Sequence, residues 1–202
     1  YYCTVTAVHN ASLTAKIDGT MPNLTEPKHA LTLYFAVAKE SDFIIRKGVE
    51  LGIKRFVPFM SKRVNADFNR NRCEKIVREA VKQCERAVVP EIDGIIAFEE
   101  LICRISNAPN TFFCYENHKG DSLLAALSRH IAARNAPADT VNLIVGCEGG
   151  FEDNEAAQII AANATPVSLG ARILKVETAV IAAVAIVNAV NEGCCSFVSG
   201  QL

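Results

Sequence analysis

Gly146-Cys147-Glu148-Gly149-Gly150-Phe151 follows directly on the apolar run Val141-Asn142-Leu143-Ile144-Val145. One helix further on stands Ser168-Leu169-Gly170-Ala171-Arg172-Ile173-Leu174-Lys175-Val176-Glu177-Thr178-Ala179. A buried strand that ends in clustered glycines places bare backbone at the carboxyl edge of a sheet. Glycine has no Cβ, so main chain there can approach a flat ligand closely and can take φ > 0. Open α/β sheets bind their ligands at that edge. A single glycine-rich turn would be no more than a strand-to-helix connection. Two of them, each after an apolar strand and each before a helix, point to one shared site.

Outward from these stretches the chain alternates strand and helix. Leu31–Val37, Ile53–Met60, Thr111–Tyr115, Val141–Val145 and Pro166–Leu169 are short apolar runs of buried-strand type. Pro58 and the residues after it are expected to end the second of these. Helices are expected after Ser41, a candidate cap, over Arg70–Arg86, Phe98–Ile105, Leu123–Ala133 and Asp153–Ala162, and from about Glu177. Repeated βα units imply an α/β fold, a mainly parallel sheet with helices on both faces. Residues 1–17 alternate instead as an exposed hairpin would, and a lone hairpin is not stable. They are expected to be the tail of a small β-domain whose first strands precede Tyr1, followed by a polar, Pro-bearing linker from Asp18 to Pro27.

The net charge of −1 favours no partner, but its distribution does. Between Arg46 and Arg86 there are twelve basic and five acidic residues, an excess of +7 that leaves the rest of the chain at −8. One surface facing phosphate, or a pair of solvated helices, would account for this asymmetry. The eight cysteines form no C-x-x-C pair and no metal spacing, so a reduced, cytoplasmic setting without metal is expected. The apolar run Val180–Val190 is about half the ~20 residues that a membrane helix needs, and Asn188 interrupts it. It is expected to be a core helix, with no membrane association. There is no G-x-G-x-x-G after a strand and no G-x-x-x-x-G-K-[ST], which excludes the usual dinucleotide and phosphate loops.

The two stretches resemble the G-P-E-G-G-F and S-L-G-x-R-I-L-R-x-E-T-A signatures of the RsmE family, bacterial 16S rRNA uridine N3-methyltransferases of the SPOUT superfamily. Similarity continues upstream through Lys47-x-x-Glu50-Leu51-Gly52, Pro58, Arg63, Glu79-Ala80-x-x-Gln83-x-x-Arg86 and Pro90-Glu91, so that it covers roughly Leu31 to Val190. Five positions depart from the pattern. Cys147 replaces a proline, Lys175 an arginine, Val176 a threonine and Glu85 a glycine. The Ser/Thr expected after the G-G-F is Glu152, which leaves Asp153 or Asn154 as candidate caps.

The resemblance implies a deep C-terminal trefoil knot, which ordinary connection rules make very rare. It also implies an N-terminal PUA-like RNA-binding β-barrel, with residues 1–27 as its tail plus linker and 28–202 as the SPOUT methyltransferase domain. Further implications are S-adenosylmethionine as cofactor, small-subunit ribosomal RNA as partner and homodimerisation through the knotted region, which the small and β-branched residues of the last helix, Glu177 to Asn191, would suit. The cofactor set is Tyr115, Glu116, Val145, Gly146, Glu148, Gly149, Gly150, Ser168, Leu169, Gly170, Ile173 and Leu174, with Leu143 and Ile144 as further apolar lining. Arg172 is the candidate catalytic group, stabilising negative charge on a uracil oxygen; a structural ion pair with Glu148 or Glu177 is its alternative role. Glu148 is either catalytic or structural, and Glu177 suits a helix start. Lys47, Arg63, Arg72, Gln83 and Arg86 are the candidate RNA contacts. The four histidines, at 9, 29, 118 and 130, lie apart from the motifs and are expected on the surface or in loops. Two other functions remain open. One is a ribose 2′-O-methyltransferase of the same superfamily, the other a non-catalytic RNA-binding or ribosome-assembly protein on the same fold.

Overall fold

The computed structural model describes residues 1–20, 25–134 and 139–192; Cys194, Cys195 and the middle of the linker lie outside the described residues. Strands β1 (Tyr2–Val8) and β2 (Leu13–Gly19) pair antiparallel as a separate two-stranded sheet. The other strands are β3 (Ala30–Ala36), β4 (Arg55–Phe59), β5 (Glu91–Ile92), β6 (Thr111–Cys114), β7 (Thr140–Val145) and β8 (Thr165–Val167). They form one sheet in the order β5-β4-β3-β7-β6-β8, parallel at every pairing.

The period-2 alternation of β3 explains why both faces carry helices. Leu31, Leu33 and Phe35 enter one apolar cluster, while Tyr34 and Ala36 enter another on the opposite face. The first cluster is closed by α1 (Ser41–Glu50), α2 (Arg70–Gln83), α4 (Leu123–Arg134) and α6 (Val176–Asn191). The second is closed by α3 (Phe98–Ser106) and α5 (Asp153–Ala161). Helix α6 buries Val176, Val180, Ala183, Val184, Val187 and Asn191, one stripe at 3- and 4-residue spacing. Val176, in place of the family threonine, extends that stripe by a turn. None of the described helices is long and apolar enough to cross a membrane.

Several local expectations are corrected. Pro58 does not end its strand; it sits inside β4 opposite Phe35. Its carbonyl accepts from the Ile96 N–H on the side of the short edge strand β5, so the N–H it lacks is missed only at the edge. Ser41 is the first residue of α1 rather than its cap, and its hydroxyl donates to the Ala38 carbonyl. Glu152, not Asp153 or Asn154, caps α5. It forms a capping box with Glu155, whose carboxylate accepts the Glu152 N–H at 2.9 Å. His29 is buried, just before β3, and burial holds its imidazole below the ordinary value against the pull of Glu192 and Asn188.

Glu85 occupies a left-handed conformation at φ 56°, the region that favours the glycine it replaces. An L-residue there costs about 1–2 kcal/mol, part of which glycine's chain entropy offsets. Glu85→Gly is expected to stabilise the fold by about 0.5–1 kcal/mol, read as a rise of a few degrees in the thermal midpoint.

Candidate functional site

Parallel strands deliver their carboxyl ends to one edge, and four of the connections that leave it enclose a cavity of about 700 Å³. Lys39 and Glu40 come from the turn after β3. Cys114, Tyr115, Glu116 and Lys119 come from the end of β6 and its loop, and Val145 to Gly150 from β7 and the loop after it. Ser168 to Val176 and the first turn of α6 complete the wall. All twelve residues expected at the cofactor site line this one cavity. Leu143 and Ile144 do not line it; strand alternation sends the first into one core and the second into the other. The apolar lining comes instead from Val145, Leu169, Ile173 and Leu174.

The glycine loop after β7 is a tight turn. The Gly150 N–H donates to the Cys147 carbonyl at 2.9 Å, and Gly150 holds φ 65°. A Cβ on Gly150 would run into the Glu116 carboxylate, and one on Gly146 would lie 2.7 Å from the Phe151 ring. Gly150 is thus required for its conformation, since the Glu116 carboxylate is the movable end of a side chain, and Gly146 for its closeness to the Phe151 ring. Cys147 is buried beside Phe151 as a small hydrophobe, where the family proline would stand. Burial pushes the Cys114 thiol up to about 12, so it lines the cavity uncharged.

The loop after β8 is stitched to its neighbour. Ser168 donates its N–H to the Asp121 carbonyl and accepts from the Leu123 N–H on its own carbonyl, while its hydroxyl accepts the Gly170 N–H at 3.1 Å. Gly170, at φ 120°, has open space where a Cβ would be. The next three residues stand out at the cavity rim, Ile173 with 87% of its surface exposed. Among the described residues Arg172 forms none of the ion pairs, so neither Glu148 nor Glu177 holds it. Glu148 instead accepts the Lys39 N–H at 3.0 Å and ties the β7 loop to the β3 turn. Glu177 lies in the first turn of α6, where free N–H groups favour a carboxylate.

The candidate RNA contacts do not share one fate. Arg86 is corrected outright. Its side chain is 3% exposed, its guanidinium pairs with Glu26, and Nη1 donates to the Val49 and Ile53 carbonyls. It joins the linker to the end of α1 and is closed to phosphate. Lys47 bonds Glu50 and Arg72 bonds Asp42, both at the surface, and Gln83 is exposed. Lys75 and Lys82 are exposed on α2 and enter none of the described ion pairs; their exposure, invisible to motif matching, marks them out. Arg63 donates from Nη1 to the Gly149 carbonyl at 2.9 Å.

A parallel sheet with glycine-bearing loops folded over its carboxyl edge defines an α/β protein with a cavity at that edge and charged residues around it. The chain belongs to the RNA methyltransferase family, whose domain it matches over residues 25–188. It is 33% identical over 184 residues to the ribosomal RNA small subunit methyltransferase E of Synechocystis sp., with 89% of this chain and 59% of the relative covered. Against the enzyme of the same name from Mesomycoplasma hyopneumoniae it is 30% identical, covering 86% of this chain and 74% of the relative. It thus spans between about half and three quarters of the length of these two relatives. The crystal structure of ribosomal RNA small subunit methyltransferase E from Neisseria gonorrhoeae bound to S-adenosyl methionine superposes with a TM-score of 0.76. Identity there is 26%, with 91% of this chain and 75% of that one covered. A tRNA-modifying TrmH/SpoU enzyme from A. aeolicus shares the fold alone, at a TM-score of 0.55 and 15% identity, with 84% and 79% covered.

Proposed function

We propose that the chain is an S-adenosylmethionine-dependent methyltransferase acting on N3 of a uridine in 16S ribosomal RNA. The observation that carries this reading is one cavity lined by residues of both glycine-bearing motifs. The residues fit the cofactor. The cavity lies within the roughly 300–1,000 Å³ range of small-molecule sites. Gly146, Gly149, Gly150 and Gly170 line it with bare backbone, open space lies where a Cβ on Gly170 would be, and Val145, Leu169 and Leu174 supply an apolar slot. The relative from N. gonorrhoeae, bound to the same molecule, supports the assignment. When bound, the cofactor supplies an electrophilic methyl group on a sulfonium.

The acceptor must be made nucleophilic. N3 of uracil carries a proton; it passes to water at the open rim of the site, and its loss leaves charge shared by N3 and the two flanking carbonyl oxygens. Arg172, outside the described ion pairs and exposed on the rim, stabilises that charge as the N–C bond forms and the C–S bond breaks onto sulfur. Glu148 accepts the Lys39 N–H through one oxygen and so anchors the loop, while its other oxygen takes part in none of the described hydrogen bonds. Lys75 and Lys82, with Lys47, Arg72 and Gln83, form the basic face that meets the phosphate backbone. Residues 1–27 are the tail of a PUA-like RNA-binding domain plus linker, and residues 28–202 form a SPOUT domain with its trefoil knot.

Calorimetric titration with S-adenosylhomocysteine, followed by methylation of 16S rRNA and mapping of the methylated atom, tests the reading. Gly150→Val serves as the control. It combines a disfavoured φ with a clash against Glu116 and is expected to abolish cofactor binding while RNA still binds. Methyl on a ribose 2′-oxygen would replace the N3 assignment. A folded protein that binds no cofactor would leave the non-catalytic role.

The chain works as a homodimer in this reading. Ile181, Ala182, Ala185 and Ala189 lie on α6 away from its buried stripe and are half-buried or exposed. An apolar outward face of small residues suits a self-complementary contact. Sedimentation at micromolar concentration is expected to give twice the chain mass, and a monomer would end the proposal.

A further inference from the structure

We infer that Arg63 is a positioning residue for the cofactor loop rather than a ligand of RNA phosphate, an assignment that rests on the function proposed above. Sequence alone places Arg63 in the basic segment. Space places it elsewhere. The connection that leaves β4 crosses the end of β3 and meets the loop after β7. There the Arg63 Nη1 donates to the Gly149 carbonyl, and the stem of the side chain lies against Gly149. A Cβ on that glycine would stand 3.0 Å from the Arg63 Cβ and 3.5 Å from its Cδ.

The contact does not stand alone. The Lys62 N–H donates to Glu155 Oε1 at 2.8 Å, and Glu155 is buried at 2% exposure. The other oxygen of Glu155 holds the Glu152 N–H, and the Lys62 ammonium pairs with the Glu152 carboxylate at 3.1 Å. Three interactions therefore link the dipeptide Lys62-Arg63 to the segment from Gly149 to Glu155. Neither residue of this dipeptide lines the cavity, so Arg63 reaches the cofactor only through the backbone of Gly149.

Such a clamp has a physical purpose. Gly149 and Gly150 have no side chains with which to hold their own conformation, and a loose loop must be ordered when ligand binds. Fixing it beforehand removes that ordering cost from binding. Of the three links, only the Arg63 guanidinium acts on Gly149 itself. The other two hold the start of α5 and persist without it.

The test uses Arg63→Ala and Arg63→Lys in the whole protein, with S-adenosylhomocysteine titration, RNA binding at two salt concentrations, and thermal unfolding. Arg63→Ala is expected to weaken cofactor binding about tenfold and to raise KM for S-adenosylmethionine while kcat at saturation is largely kept. Arg63→Lys, whose ammonium reaches the same carbonyl, is expected to restore most of the affinity. The salt dependence of RNA binding and the unfolding temperature stay at the parent's values. Unchanged cofactor affinity in Arg63→Ala overturns the inference. If the salt dependence also falls by about one charge, Arg63 is a phosphate ligand instead. A parent protein that folds but binds no S-adenosylhomocysteine overturns the proposed function, and this inference with it.

Discussion

Arg172→Ala is expected to slow single-turnover methyl transfer roughly 10²–10³-fold while cofactor affinity stays close to that of the parent. The two halves of this expectation have different origins. Arg172 lies at the cavity rim, exposed and outside every described ion pair, so its removal leaves no buried carboxylate uncompensated. Fold and cofactor loop should therefore survive. In the proposed mechanism what is lost is the positive charge that meets the negative charge gained by the acceptor oxygen, an interaction made only as the nucleophile forms. Arg172→Lys keeps charge without the planar fork and should recover part of the rate. Cofactor titration and single-turnover methylation of both variants check the assignment; transfer by Arg172→Ala at the parent rate would return Arg172 to a structural role.

The second large effect is on stability. Arg86→Ala is expected to destabilise the chain by roughly 3–5 kcal/mol, because removing one member of a buried pair leaves the other charge unpaired. Three elements lose a partner together. Glu26 is left without its guanidinium, the Val49 and Ile53 carbonyls lose their side-chain donor, and the linker keeps only the Ala87 and Val88 N–H groups on Thr25 and Glu26. Chemical denaturation of Arg86→Ala beside Arg86→Lys measures this, and a loss below about 1 kcal/mol would show that the site relaxes. RNA affinity should change no more than stability explains.

The same pair makes stability depend on acid. Burial alone would raise the Glu26 carboxyl, but the hydrogen bond from Arg86, the Val88 and Ala87 N–H groups and the Arg86 charge together hold it below its ordinary value. A carboxyl lowered by folding contributes stability that is present above the unfolded value and is lost as pH falls through the folded one. Acid unfolding of the parent should therefore carry a component below the ordinary glutamate range that Glu26→Gln removes.

The order of elements, and the cavity that both glycine-bearing stretches line, were legible in the residues themselves. Apolar runs such as Val141–Val145 and the 3- and 4-residue stripes of α2 and α6 report which faces are dry, and dryness follows side-chain chemistry at local spacing. The two glycine-bearing stretches could be assigned to one edge because parallel βα units leave their loops there, and the twelve residues named for the cofactor do line one cavity. The two-residue strand β5 was not legible, being too short to carry a period.

What tertiary structure alone decided was the partner of those charged and polar side chains that bond across elements. Arg63 and Arg86 read alike as basic residues of one segment. Folding sets the first against Gly149, 86 residues away in sequence, and the second against Glu26, 60 residues away. His29 carries no mark of burial in its neighbours, yet it lies under the end of α6. Glu85 departs from a motif in sequence, and only its φ of 56° shows that the departure is one of backbone strain. Hydrophobic pattern is a property of adjacent residues and survives in the linear chain. Hydrogen-bond and charge partners depend on which distant segments packing brings within about 3 Å, and that is settled only when the sheet order β5-β4-β3-β7-β6-β8 is assembled.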